Sequence, residues 1–229
     1  MRFLNTVALL KGCAFAREGG VERGPKERVH GLWDNLSRFG AARVDDALQY
    51  LLLELCSVVN AQRAYWMGIV RVGESGCTDP ALGWRLRALH RSWGTPLHDQ
   101  VYREYWRRIE AGDMDPLIAA DLRNVGQFRI NSLRQQVDGD WYRSGLYNEL
   151  YAPLGIRDVV HVAIPLGTDV ESWFGFERLG STESFFSDVE RQVLGDALRP
   201  LKWFQQQVVL HRGLVLGMDA LTPAECRVL

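Results

Sequence analysis

Six aromatic side chains and one histidine are the residues of this chain best suited to hold a small molecule. Trp66, Trp84, Trp141, Tyr142, Tyr147 and Trp173 combine large apolar faces with single polar handles, the makeup of a ligand pocket wall. His161, within "VVHVAI", adds a side chain whose charge changes near neutral pH. The same residues would serve equally as core, because eight tryptophans must be buried somewhere. A catalytic arrangement is the competing chemistry. Asp158, His161, Glu177 and Tyr142 could converge on one sheet face as acid, base and stabiliser. No G-x-S-x-G elbow, H-E-x-x-H, P-loop or G-x-G-x-x-G accompanies them, so no catalytic residue is assigned.

Metal and cofactor chemistry is not expected either. Cys13, Cys56, Cys77 and Cys226 form no CxxC pair and no zinc spacing. They read as free thiols of a reducing compartment, with Cys56 a small buried residue in an apolar helix. The formal net charge of −1 gives no overall signal for a polyanion partner. Arg85, Arg87 and Arg91 in one strand, with Arg107 and Arg108 in the next helix, could touch a nucleic-acid backbone. Asp99, Glu104 and Glu110 dilute them, so a solvated or subunit-facing surface is the expectation.

The elements that must position these residues follow from periodicity. Pro25 opens a helix whose Val29, Leu32, Trp33, Leu36 and Phe39 share a face, stopped by Gly40. Asp45 and Asp46 favour the start of a second, with Val44, Leu48, Leu51, Leu52 and Leu55 as its stripe. Residues 63–72 are apolar on both faces and predict a central strand. Residues 84–93 alternate, Trp84, Leu86 and Ala88 against the arginines, and predict a half-buried one. Helices are expected over 96–112, from Pro116, and over 140–154. Strands at 157–166 and 171–179 flank "GTD" as a hairpin. Ser187 and Glu190 form a capping box for a last long helix. Its stripe is Val189, Val193, Ala197, Leu201, Phe204 and Val208, and Pro200 should kink or split it. Antiparallel hairpins with helices grouped at the ends make this an α+β chain.

The two ends carry further signals. Residues 1–16 have an early arginine, a short apolar run and an Ala-x-Ala ending, but Asn5, Thr6 and Lys11 interrupt the run, so a signal peptide is not expected. At the other end, "DALTPAECRVL" (219–229) reads as a helix start. Thr222 and Glu225 make a capping box, Pro223 takes the first helical position, and Leu221 with Cys226 form a staple.

That stretch resembles the first helix of the LuxR-type helix-turn-helix domain through Leu221, Thr222, Glu225, Val228 and Leu229. Upstream, Phe186, Ser187, Glu190, Arg191, Leu198 and Pro200 resemble the helix that joins a GAF-like sensor to that domain. "ELYAPLGIRDVV" with its hairpin is similar to the sensor itself. The resemblance implies a GAF/PAS-like antiparallel sheet flanked by helices, with a long C-terminal linker helix. It divides the chain into an N-terminal segment (1–24), a sensory domain (25–186), a linker and dimerisation helix (187–212), and a connector into a truncated helix-turn-helix (213–229). Trp141, Tyr142, Tyr147 and Tyr151 lack the Tyr-x-Tyr-Pro and Asp-Pro context of the acyl-homoserine lactone binders, so that ligand is not carried over.

The expected function is the ligand-sensing and dimerisation part of such a regulator. It would be cytoplasmic, with an unidentified small-molecule ligand, DNA contacted only through the missing C-terminal domain, and no membrane partner. Trp203, Val209 and Leu210 lie off the main stripe of the last helix and are the expected homodimer surface. A short form that pairs with an intact regulator, and a small cytosolic enzyme, are the alternatives.

Overall fold

A computed structural model describes residues 24–72, 79–94, 96–180 and 185–214. The opening segment, Cys13, Cys77 and the 219–229 helix start lie outside the described residues.

Five antiparallel strands form one sheet: β1 (Arg63–Arg71), β2 (Trp84–Arg91), β3 (Arg129–Ser132), β4 (Ile156–Pro165) and β5 (Val170–Leu179), in the order β2-β1-β5-β4-β3. The fold is α+β, as the alternation of strand and helix periods requires. Sequence periodicity misses β3. It has four residues, sits at the edge, and carries Arg129, Asn131 and Ser132 among few apolar side chains.

Helices α1 (Pro25–Leu36), α2 (Val44–Val58), α6 (Asp188–Leu198) and α7 (Lys202–His211) cover one face. On α2, Leu48, Leu51, Leu52 and Leu55 have no exposed surface, and each stabilises the fold by roughly 1.5–3 kcal/mol relative to a solvated side chain. They meet the sheet residues of one parity: Ala64, Trp66 and Val70 of β1, Val160, Val162 and Ile164 of β4, Phe174 and Phe176 of β5. The expected split of the last helix occurs at Pro200. A 3-10 turn, Arg199–Leu201, separates α6 from α7, since proline offers no N–H there. The Ser187–Glu190 capping box forms as expected, each side chain accepting from the other residue's N–H. Val189 departs from its expected stripe and is 70% exposed. Leu194 and Leu198 take the inward positions instead.

The other face is covered by α3 (Pro96–Glu110), α4 (Pro116–Arg123), the short α5 (Leu133–Gln136), and the segment 141–154. That segment is helical as expected but irregular, running through a 3-10 turn (Trp141–Arg143), a π turn (Tyr147–Tyr151) and another 3-10 turn (Ala152–Leu154). Gly155, at φ 68°, ends it in the left-handed region and hands the chain to β4. In β2, alternation fails at a bulge. Gly68 pairs with Ala88 and Ile69 with Leu86, leaving Arg87 unpaired, so Ala88 faces α2 while Leu86 and Leu89 face α3.

Candidate functional site

The two faces of the sheet differ in chemistry, and the difference locates the site. Residues of the opposite parity, Tyr65 of β1, His161 of β4, and Glu171, Trp173, Gly175 and Glu177 of β5, point toward α3, α4 and 141–154. There they join a buried polar network. Asp121, on α4, accepts from His161 Nδ1 at 2.6 Å and from the Asn131 amide at 2.6 Å. His161 Nε2 meets the Tyr65 hydroxyl at 2.8 Å. His161 is 1% exposed and Asp121 has no exposed surface, so the imidazole is fixed between a carboxylate and a phenol. The Tyr65 ring crosses directly over Gly175, where an added Cβ would stand 2.1 Å from the ring. Glycine at 175 is the seat of this tyrosine.

A second carboxylate, Asp115, caps α4 through the N–H groups of Leu117 (2.8 Å) and Ile118 (3.2 Å), and also accepts from the Tyr151 hydroxyl at 2.5 Å. Burial raises its pKa, and those donors only partly oppose the rise. At the far edge, Glu171 accepts from Arg129 (2.6 and 3.0 Å), Trp173 Nε1 (2.6 Å) and the Gly126 N–H (2.7 Å). Near the other end of β5, Glu177 accepts from the Tyr102 hydroxyl of α3. Burial pushes the Glu177 carboxyl up to about 7.

Between these groups lies a cavity of about 30 Å³, lined by Tyr65, Val101, Tyr102, Tyr105, Leu150, Tyr151, Leu154, Ile156, Val159 and Glu177. Burial, and then the nearby carboxylates, raise all four phenols well above their usual range. They therefore stay protonated and act as donors and aromatic walls. The chamber has polar atoms at one end and apolar surface at the other, and its volume is of the order of a single water molecule's.

Of the residues the sequence singles out, His161 and Trp173 lie in this network, and His161 reaches the cavity through Tyr65. Trp141 and Tyr147 pack behind it. Their rings lie 5.2 and 6.1 Å from that of Tyr151, and the Tyr147 hydroxyl donates to the Ile156 carbonyl. Tyr142 is further out, its ring 3.8 Å beneath the Arg157 guanidinium. Trp84 is buried among Ala81, Leu86 and Ile109, away from the cavity lining. Trp66 is on the opposite face. It packs with α2 and donates to Ser172 Oγ at 2.6 Å, because its parity in β1 is that of Ala64 and Val70. The proposed convergence of Asp158, His161, Glu177 and Tyr142 does not form. Asp158 instead accepts from the N–H of Phe186 (3.0 Å) and from Ser132 (3.3 Å). Arg85, Arg107 and Arg108 pair with Asp79, Glu104 and Glu149, and Arg91 lies over the Tyr102 and Trp93 rings.

On α7, Trp203 and Leu210 are 48% and 44% exposed, whereas Val209 is 2% exposed and belongs to the core. Val209 sits one residue after Val208, on the edge of the buried stripe. Sequence reasoning overlooked Tyr65, Tyr102, Tyr105, Asp115 and Asp121 as lining or network residues, and names Glu177 only within the catalytic alternative. The available signal was parity: Glu171, Trp173 and Glu177 share one face of β5, and Tyr102 with Tyr105 share one face of α3.

Among the described residues there is no cluster of three or more metal-ligating side chains, and no helix long and apolar enough to cross a membrane. No family description matches the sequence, and no curated protein is similar to it. Solved structures are similar in fold. The N-acylhomoserine lactone dependent LuxR family transcription factor CepR2 from Burkholderia cenocepacia aligns with a TM-score of 0.51 at 11% identity, over 82% of this chain and 97% of that one. The LBD domain of VqsR from Pseudomonas aeruginosa aligns at 0.47 with 16% identity, over 80% and 94%. The phycoerythrobilin-bound GAF domain of a cyanobacterial phytochrome aligns at 0.44 with 11% identity, over 83% and 99%. The likeness to CepR2 is one of architecture: an antiparallel sheet flanked by helices.

Proposed function

We propose that this chain is the ligand-sensing and dimerisation portion of a LuxR-type transcriptional regulator, and not an enzyme. DNA reading falls to a helix-turn-helix that residues 219–229 would open. The observation that carries this reading is the tyrosine-lined chamber, with the Glu177 carboxylate in its wall, on one face of a GAF-like sheet. Buried ion pairs are weak evidence for stability, which leaves binding as a reason for this face to keep them. The acyl-homoserine lactone on which CepR2 depends is not assigned to this chain.

A route for the signal runs through the sheet. Glu177 faces the chamber, and its neighbour Arg178 faces the other side. Arg178 donates to the Glu190 carboxylate at the start of α6, to the Phe185 carbonyl (2.5 Å) and to the Val59 carbonyl (2.7 Å). A ligand that draws on Glu177 shifts β5 against α6, and through the 3-10 turn at Pro200 shifts α7. This replaces direct contact between ligand and linker, since the chamber and α6–α7 lie on opposite faces of the sheet. Trp203 and Leu210, on one side of α7, supply the surface for a second copy.

Native mass spectrometry of the protein purified from its own host tests the sensing claim. A co-purifying compound of small-molecule mass is expected, and a clean apo mass would remove the claim. Light scattering of Trp203→Glu tests dimerisation. The variant should shift to monomer, and an unchanged association state would sink the interface.

A further inference from the structure

The end of α7 is fastened to the rest of the fold in two ways. Gly213, at φ 65°, turns the chain back, and the Leu214 N–H donates to the Val209 carbonyl at 2.9 Å. Leu214 thereby drops onto β1 at Gly68, where an added Cβ would collide with its Cδ1. Gly68 is the seat of this leucine, as Gly175 is of Tyr65. The second fastening is polar. The Arg212 guanidinium donates to Asp45 Oδ1 of α2 at 2.6 Å and to His90 Nδ1 of β2 at 3.2 Å. His90 Nε2 lies 3.0 Å from Gln49 Oε1, and the Gln49 amide nitrogen is committed to the Ser92 carbonyl at 3.3 Å. Gln49 therefore presents its oxygen, His90 Nε2 carries the proton, and Nδ1 keeps the lone pair that Arg212 needs. Arginine can only donate, so the arrangement requires a neutral imidazole.

We propose that this clasp is acid-sensitive: protonation of His90 releases the end of α7 from β2. A proton on Nδ1 would face the guanidinium, replacing a hydrogen bond with two like charges in contact. The surrounding groups set the sign. Burial and then Arg212 lower the His90 pKa from the ordinary histidine value, and Asp45 opposes them. From β1 the residue opposite His90 is Trp66, which carries no charge, and Arg91 faces the Tyr102 ring on the other side of the sheet. A released His90 regains an ordinary pKa, so the clasp's contribution to stability falls as pH drops below about 6.5. His211 works the other way, because it stands 4.0 Å from Asp45 Oδ2 and a proton there strengthens that pairing. It is exposed, so the pairing is screened by solvent. Release frees the end of α7, from which the remaining residues follow.

Amide hydrogen exchange at 208–214 in the full chain, corrected for the intrinsic exchange rate at each pH, tests this. Protection there should fall roughly tenfold between about pH 7.5 and pH 5, a decade of pH being worth a decade in the clasp equilibrium, while protection in β4 and β5 holds. His90→Asn keeps an acceptor where Nδ1 stands and cannot take a charge, so its protection should be alike at both pH values. Arg212→Gln removes the cation and should raise the His90 pKa followed by NMR of its ring protons, a measurement that decides the matter even where His90→Asn does not fold. Wild-type protection that stays flat or rises on acidification, an equal fall in folded His90→Asn, or a His90 pKa unmoved by Arg212→Gln would overturn the proposal.

Discussion

The two faces of this sheet are made from alternate residues of the same strands, and they solve opposite problems. Toward α1, α2, α6 and α7 the strands present Val160, Val162, Phe174 and Phe176 to a layer of leucines, and the interface is held by apolar burial. Toward α3, α4 and 141–154 they present Tyr65, His161, Glu171 and Glu177 among Met67, Ile69, Ala163 and Trp173, and apolar burial there is joined by hydrogen bonds between buried polar groups. The first arrangement is what stability alone would select. The second adds directional groups around a cavity to its apolar packing.

Several substitutions would break or sharpen that contrast. The largest effect belongs to the leucine layer. Leu51→Ala should cost about 2–5 kcal/mol in urea unfolding, because the surrounding helices cannot collapse into the space. A loss well under 1 kcal/mol would mean the apolar face is not the stabilising one. Gly175→Ala comes next. It displaces the Tyr65 ring from its seat and should destabilise by about 1–3 kcal/mol as an overpacked site. Ser187→Ala removes the hydroxyl that caps α6 and should cost about 1 kcal/mol, with no change at the chamber.

Glu177→Gln is read from the pH dependence of stability, where its sign is the informative part. Burial raises the Glu177 pKa from the ordinary carboxylate range to about 7, so between those values the folded chain holds more protons than the unfolded one. Stability from this group therefore falls as pH rises through that window. Asp115 and Asp158, raised by burial as well, act in the same direction. Subtracting the Glu177→Gln profile from the wild type isolates the single group. The difference should be a decline between about pH 4 and 7, levelling off above. A difference that rises with pH would mean that Glu177 is better partnered than its surroundings show.

Much of the fold was legible in the sequence because its elements carry local signals. The Ser187–Glu190 box, the break at Pro200, the "GTD" hairpin and the leucine stripe of α2 each follow from residues within a turn or two of one another. The site was less legible, for a reason the strands make plain. Strand β1 is apolar on both sides, so a period of two could not tell whether Trp66 or Tyr65 faced the chamber. The bulge at Arg87 then reversed the parity of β2 beyond it. Trp173 and His161 read as pocket residues on residue type alone. Tyr102, Asp115 and Glu177 come from three separate elements, and only the folded sheet brings them together. Asp115 shows how a site residue hides. In sequence it is an unremarkable helix cap before Pro116, and its second role, accepting from Tyr151, depends on a contact 36 residues away.

The division of labour between the faces is tested most directly by hydrogen exchange on protein purified from its own host, before and after any bound compound is stripped by unfolding and refolding. Stripping should speed exchange in 96–110 and 141–154 and leave the leucine-layered α2 as slow as before. Equal acceleration in α2, or identical exchange in the two samples, would contradict it.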